Sequence, residues 1–363
     1  MRTVIGTTPK ALRIIKSLLV LILVRGSGTL LSFLITVLIV DRFGAGAAAD
    51  GLLAVRRLVI RLGDAGRLLI LNALVPWFAR ALDEPDCSRF RRAVLLRLYQ
   101  AGALGLVVSA LISVFSADIV QLVGAGFDQE RRAVATNALY VFAFLLVPML
   151  LAGVLTAAAN VRGVYGLPDL AQLAPRLLAL AVLALLPPTA SAAALPWAYV
   201  VGASAGLAVI LVWMAGRLRA IDGAAGEDTT DPGPDQAQDP TGARFWALLF
   251  TLAGAQIALW IQLHYIADAG AGAMTYWECS QAIMAVLPAV FLRSAFSVAY
   301  AESARQLRGS EQGVSAALLA RLIEIGLYLM LPIILLPTIF ADHISYLLFV
   351  RGSFSDSDAH QVA

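Results

Sequence analysis

Long apolar runs recur along this chain and decide what it can fold into. They lie near residues 17–41, 49–80, 93–116, 134–159, 169–187, 194–216, 245–267, 273–303 and 317–340, each close to the roughly 20 residues that carry a helix across a bilayer. Inside hydrocarbon every backbone N–H and C=O must be paired within the chain, as a helix pairs them. The expectation is an all-α, polytopic membrane protein of about nine transmembrane helices. Composition agrees: 60% of residues are hydrophobic and 14% charged, against roughly a quarter charged in soluble domains. The formal charge of +3 is small and its basic residues are spread through short loops, so nucleic acid is excluded as a partner. Cys87 and Cys279 fit neither a disulfide framework nor a metal-ligand spacing.

Lys10, Arg13 and Lys16 ahead of the run Ser17 to Val24 imitate a secretory leader. Arg25 and Gly26-Ser27-Gly28 interrupt the run, no small-residue cleavage site follows, and apolar sequence resumes from Leu30 to Val40. The segment reads as an uncleaved first helix. With the N-terminus in the cytoplasm, Lys10, Lys16, Arg89, Arg91, Arg92, Arg162, Arg176, Arg217, Arg219, Arg305 and Arg308 gather on that side. Chiefly Arg42, Arg131, Arg132 and Arg351 remain outside, as the positive-inside bias requires. Between the sixth and seventh runs, Asp222 to Gly242 is rich in Asp, Gly, Pro and Gln and has no apolar face, which is linker composition. The chain thus reads as a six-helix lobe over 1–217, a flexible cytoplasmic linker over 218–244, and three helices of a second lobe over 245–363.

Three short echoes recur after about 225 residues, in order. Gly44-Ala45-Gly46-Ala47 is matched by Gly270-Ala271-Gly272-Ala273, and Ala79-Arg80-Ala81-Leu82 by Ala304-Arg305-Gln306-Leu307. Ser116-Ala117-Asp118-Ile119 with Gly126 and Asp128 is matched by Phe340-Ala341-Asp342-His343 with Gly352 and Asp356. Six helices return the chain to its starting side, so the two lobes are expected to be parallel repeats about an axis along the membrane normal. The second repeat stops at Ala363, where a tenth helix is expected to begin, as in a fragment or a shortened homologue.

The second run is charged within the bilayer's reach: Arg56, Arg57, Arg61, Asp64 and Arg67. At about 100° per residue and with Arg56 at zero, Arg67 falls near 20°, Asp64 near 80°, Arg57 near 100° and Arg61 near 140°. All five share one arc, opposite Leu52, Val55, Leu62 and Ile70. Facing lipid, each would cost about 2.5–3.5 kcal/mol at the bilayer centre, so the arc is expected to border a cavity. Two rivals are a helix flat on the cytoplasmic surface, which would put the basic loop Arg80 to Arg92 outside, and purely structural ion pairing. Arg25 and Glu278 are the best further candidates for the same cavity. Arg97 is placed to snorkel toward the cytoplasmic surface, and His264, with Gln256 and Trp260 on one face, reads as a hydrogen-bonded interfacial residue ahead of a proton relay. Pro288 and Gly26-Ser27-Gly28 are positions where helices can bend. Gly202 with Gly206, and Ala101 with Gly105, are small-xxx-small pairs that admit close helix packing.

No Walker loop, metal-spaced His/Cys cluster or Ser/His/Asp grouping is present, which argues for a transporter rather than an enzyme and names no cofactor. Cations in excess of carboxylates on one cavity wall favour an anionic cargo, and arginine suits the bidentate grip of phosphate.

Phe43-Gly44-Ala45-Gly46-Ala47-Ala48-Ala49-Asp50, followed by an arginine-bearing second helix and Ala73-Leu74-Val75-Pro76, resembles the early signature of the MurJ/MviN lipid II flippases, within the multidrug and oligosaccharidyl-lipid exporter superfamily. Gln256, Tyr276 with Glu278, and Leu348-Phe349-Val350-Arg351-Gly352-Ser353-Phe354 extend the likeness along the chain. The resemblance implies a bacterial inner-membrane protein that moves a polyprenyl-pyrophosphate-linked glycan to the outer leaflet by alternating access, beside proteins of cell-envelope biosynthesis. It also implies that arginines and an aspartate of the cavity hold the cargo. The aspartate is kept as Asp50. Thr29 and Ile35 stand where the first-helix arginines are expected, with Arg25 one turn before Thr29. Leu62 or Gly63 stands at the second-helix arginine, between Arg61 and Arg67, and Cys279 at that of the eighth helix. The expected cargo-binding residues are therefore Arg25, Asp50, Arg57, Arg61, Asp64, Arg67 and Glu278. A flippase for exopolysaccharide intermediates and a non-transporting membrane scaffold are the alternative readings.

Overall fold

The computed structural model describes residues 9–83, 87–162, 164, 166–222, 241–285, 324, 328, 331–332 and 334–363. Helices account for its regular structure: α1 (Pro9–Phe43), α2 (Ala47–Asp83), α3 (Cys87–Val114), α4 (Ser116–Val123), α5 (Gln129–Phe142), α6 (Leu146–Val161), α7 (Gly166–Ala171), α8 (Ala174–Leu185), α9 (Pro188–Asp222) and α10 (Thr241–Asp268). Helix α11 begins at 273 and is described to 285, a helical stretch α12 ends at 339, and α13 (Ala341–Phe349) and α14 (Asp356–Val362) follow. Six segments among the described residues are long and apolar enough to cross a membrane: Gly26–Phe43, Phe90–Val114, Gln129–Val161, Leu167–Leu185, Pro188–Gly216 and Trp246–Asp268. Helix α2, at 37 residues, has the length but is not among them. The eighth and ninth expected helices, the echo at Ala304, Pro288 and most of the linker lie largely outside the described residues. Gly26-Ser27-Gly28 lies within the continuous helix α1.

By contacts the chain divides into two compact units, one of residues up to Ala45 together with Thr275 onward, the other Gly46–Met274. In the larger unit α2 packs along α5 and α6, α3 along α6, and α8 along α9. Helix α2 is thus a central element of this unit and does not lie flat on it, with Leu52, Leu53, Val55, Leu58 and Val59 buried. The opposite condition holds on α3, where Leu95, Leu96, Tyr99, Leu104, Val107, Leu111 and Val114 are more than half exposed. A stripe of that kind is untenable in water and ordinary against acyl chains.

Glycine sets the close approaches. A Cβ on Gly202 would stand 2.5 Å from the Pro175 Cα, and one on Gly206 would run into the Ala171 carbonyl oxygen, so α9 seats the α7–α8 junction backbone to side-chain-free backbone. Gly105 likewise admits Val147 of α6, its Cβ position 3.1 Å from the Val147 Cα. These two small-residue pairs are packing contacts. At Gly63 the obstacle is different, the sulfur and methyl of Met149. Because methionine is pliant and a helix-interior alanine gains up to about 1 kcal/mol over glycine, Gly63→Ala is expected to be neutral within about 1 kcal/mol. A chemical-unfolding curve of the purified chain checks it, and a loss above that bound would mean the methionine cannot move.

Helices α5 and α6 form one span broken by a tight 3-10 turn at Ala143–Leu145, just before Pro148. The break frees carbonyls that lipid could not satisfy. Helix α3 supplies the donors: the Ser109 hydroxyl donates to the Ala143 oxygen (2.7 Å) and that of Ser113 to Tyr140 (2.9 Å).

The third sequence echo is a structural repeat. Phe115 and Phe340 occupy the same bridge-region backbone ahead of α4 and α13 (φ −94°, ψ 19° and φ −106°, ψ 22°). Buried Phe127 and Phe354 then turn the chain, each amide donating to the carbonyl three residues back. Asp128 and Ser355 cap α5 and α14, each accepting from the N–H of the third residue on, Arg131 and Asp358. The backbone match runs one residue out of the register of the letters, which set Ser116 against Phe340 and Asp128 against Asp356.

Candidate functional site

Helix α2 begins at Ala47, three residues after the positive-φ Gly44 (+61°), and carries Asp50 in its first turn. Asp50 is fully buried. Its Oδ2 accepts from the Gly272 N–H at 2.8 Å and faces the Arg131 Nη1 at 3.6 Å. Arg131, only 6% exposed, also donates to the Gly270 carbonyl (3.1 Å) and through Nε to Asp128 (3.1 Å), and lies over the Phe127 ring. A cation in the first turn of α5 opposes the helix dipole; Asp50 and Asp128 supply the compensating charge. The Arg131 backbone N–H, first, and then its side chain hold the Asp128 carboxyl below the ordinary value of 3.8 against some desolvation. The stabilisation linked to that shift is present above the ordinary value and is lost as pH falls through the lowered one. In the other unit the equivalent residues form a pair with no arginine: Tyr276 of α11 donates its hydroxyl to Asp358 of α14 at 2.7 Å. Burial raises the Asp358 pKa, and the hydrogen bonds from Tyr276 and Ser355 outweigh it, leaving the carboxyl below its usual range.

Further along α2 the charged arc spreads over several environments. Arg56 is buried, Arg57 and Arg67 half-buried, and Arg61 and Asp64 exposed. Asp64 and Arg67 line a cleft whose floor is α6 and α9 and whose far wall is the α7–α8 junction. It is a shallow cleft, partly open to solvent. Arg57 and Arg61 do not line it; the Arg61 carbonyl instead accepts from Gln256 of α10 at 3.4 Å. The cleft also takes in Gln172 and Arg176, which the sequence reading had assigned to the loops or passed over. Their signal lay in Gly202 and Gly206, which draw the junction onto α9. Glu278 is buried on α11 in the other unit, and the Arg25 side chain is outside the described ones.

Two further intramembrane polar groups, His264 and Arg97, make local contacts. His264 Nδ1 is 3.0 Å from the Leu122 carbonyl, an interhelical hydrogen bond, and Arg97 donates to Gln100 and stacks over Trp77 at 4.6 Å.

The family profile described as lipid II flippase MurJ matches residues 39–363 of this chain. Among solved structures, a lipid II flippase MurJ in an inward closed conformation is similar at a TM-score of 0.74 and 14% identity, over 94% of this chain and 69% of that one. A multidrug resistance MATE family transporter of the MOP superfamily, in an inward-facing conformation, is similar at 0.66 and 14%, over 94% and 78%. Such identities carry the fold alone. No curated protein matches.

Proposed function

The chain belongs to the MurJ lipid II flippase family, and from that membership we propose that it carries a polyprenyl-pyrophosphate-linked glycan, the peptidoglycan precursor, from the inner to the outer leaflet of the bacterial inner membrane. The observation that carries the reading is a charged α2 at the centre of a bundle of apolar helices, with Asp64 and Arg67 turned into a cleft. Hydrocarbon does not tolerate such a helix unless the polar face meets cargo or protein. Arg57, Arg61 and Arg67 attract the diphosphate; Asp50 and Glu278 balance charge. The cargo is moved and not chemically altered.

The N-terminus lies in the cytoplasm, which puts the Gly44 turn outside; the loop cations support that orientation. Lobes of residues 1–217 and 245–363, joined by the linker 218–244, rock against each other, supported by the repeated backbone of Phe115–Arg131 and Phe340–Asp358. The Gly272 and Gly270 contacts to Asp50 and Arg131 close the outer end and must part for release. Envelope-synthesis proteins supply the cargo.

The test is depletion of the resident lipid II flippase in a bacterium expressing this chain. Growth and normal shape are expected, and Arg61→Ala with Arg67→Ala should abolish both while membrane levels hold. Stable insertion without rescue would overturn the reading.

A further inference from the structure

Each unit carries a short helix, α4 in one and α13 in the other, that begins where a long apolar helix ends. The span Phe90–Val114 stops one residue before the bridge-region backbone of Phe115, and α12 stops at 339, one residue before that of Phe340. With Phe115 at zero and about 100° per residue, the buried Val123, Ser116 and Val120 fall together at about 80–140°, against the body of the unit. Leu122 falls at about 340°, beside Phe115, and Gln121 and Ala117 at about 240° and 200°. Apolar and polar exposure are thus separated around the helix and not along it. Phe340, Leu347, Tyr346 and Asp342 take the same places on α13, with Ser345 buried. The apolar edge is open in both units: Phe115 and Leu122 are 51% and 59% exposed, Phe340 and Leu347 48% and 77%.

A helix with one side on protein, one apolar and one polar suits the boundary between headgroups and acyl chains. Clear of the bilayer, its phenylalanine and leucine would stand in water; upright within the span, its polar edge would stand in hydrocarbon. Both helices are tied to their own unit, α4 by the contact of His264 Nδ1 with the Leu122 carbonyl (3.0 Å) and α13 by that of His360 Nδ1 with Asp342 (3.0 Å). Neither carries Lys or Arg, the residues that draw anionic lipid, and their acids are Asp118 and Asp342. The matching headgroup is zwitterionic, with an ammonium for the aspartate to meet. We propose that α4 and α13 lie flat in the headgroup layer and anchor the rim of their units on zwitterionic phospholipid, with Phe115 and Leu122, and Phe340 and Leu347, among the acyl chains. The leaflet is the outer one in the orientation given above, and nothing else in the proposal rests on the cargo.

The full chain with Cys87→Ser, its Cys279 being buried, takes a nitroxide label at Leu122→Cys, Gln121→Cys, Leu347→Cys or Tyr346→Cys and is placed in phosphatidylcholine nanodiscs. Collision rates with oxygen and with a water-soluble nickel chelate give the depth of each label. Labels replacing Leu122 and Leu347 are expected about 5–10 Å inside the headgroup boundary, and those replacing Gln121 and Tyr346 at or outside it. Phe115→Cys or Phe340→Cys reads the same edge if a leucine variant does not fold. Equal depths for the two labels of either helix, as an upright helix would give, overturn the proposal. So do water-level nickel collisions at all four positions, or shielding from both reagents, the sign of a covering protein segment or second copy. Insertion only after phosphatidylglycerol is added overturns the lipid assigned. Nanodiscs expose both faces and hold no cargo, so these depths and the depletion test stand or fall separately.

Discussion

Arg131→Met is expected to destabilise the chain by roughly 3–5 kcal/mol, the cost of stripping a buried charge of its partner. Asp50 is wholly buried and faces that guanidinium at 3.6 Å. Without it the buried carboxylate loses the cation that faces it. The reverse change should be far milder: Asp50→Asn preserves an oxygen for the Gly272 N–H, and Arg131 still has Asp128, which is open to solvent. Asp50→Asn in the Arg131→Met background should therefore recover most of the loss, with a coupling of about 1–3 kcal/mol. Thermal unfolding of the three variants in one detergent, followed by tryptophan fluorescence, measures it. Simple addition of the two single effects would show that Asp50 and Arg131 do not act as a pair.

How much of this was legible in the sequence depended on how local its cause was. The apolar runs announced the helices because each span is decided within its own 20 or so residues. The charged arc of α2 was also legible, since it follows from helical geometry; which of its members meet the cleft was not. Asp64 and Arg67, nearest 20–80° on the arc, face the cleft, whereas Arg61 near 140° is turned away. That choice is made by α6 and α9, which the α2 sequence does not contain. Arg131 looked like one of a few external loop charges, because its partner Asp50 is three helices earlier, on α2. Arg176 looked like a positive charge at a cytoplasmic helix end, because only the glycines of α9 draw its turn over the cleft. The repeat was readable in Gly44, Gly270 and Gly352 because backbone at positive φ admits few residues.

Gly126→Ala and Gly352→Ala are expected to damage equivalent contacts in the two units. A Cβ on Gly126 would stand 2.5 Å from both the Ala267 oxygen and the Asp268 Cα; one on Gly352 would run into the Asp41 carbonyl. Both obstacles are backbone at a helix end, and about 226 residues separate Gly126 from Gly352 as they separate Asp41 from Ala267. Neither can yield as a side chain does, so each substitution should cost about 1–3 kcal/mol by overpacking. Gly352 should lose about 1–2 kcal/mol more, because its φ of +58° disfavours any Cβ. Gly254→Ala, where a Cβ meets nothing within 4 Å, is the control and should be neutral or slightly stabilising. Unfolding midpoints of the three variants decide it, and a Gly126 or Gly352 variant as stable as the Gly254 one would remove the contact from consideration. Losses at both glycines, the larger at Gly352, would mean that the repeat persists as backbone against backbone where its side chains differ, Asp50–Arg131 in one unit and Tyr276–Asp358 in the other.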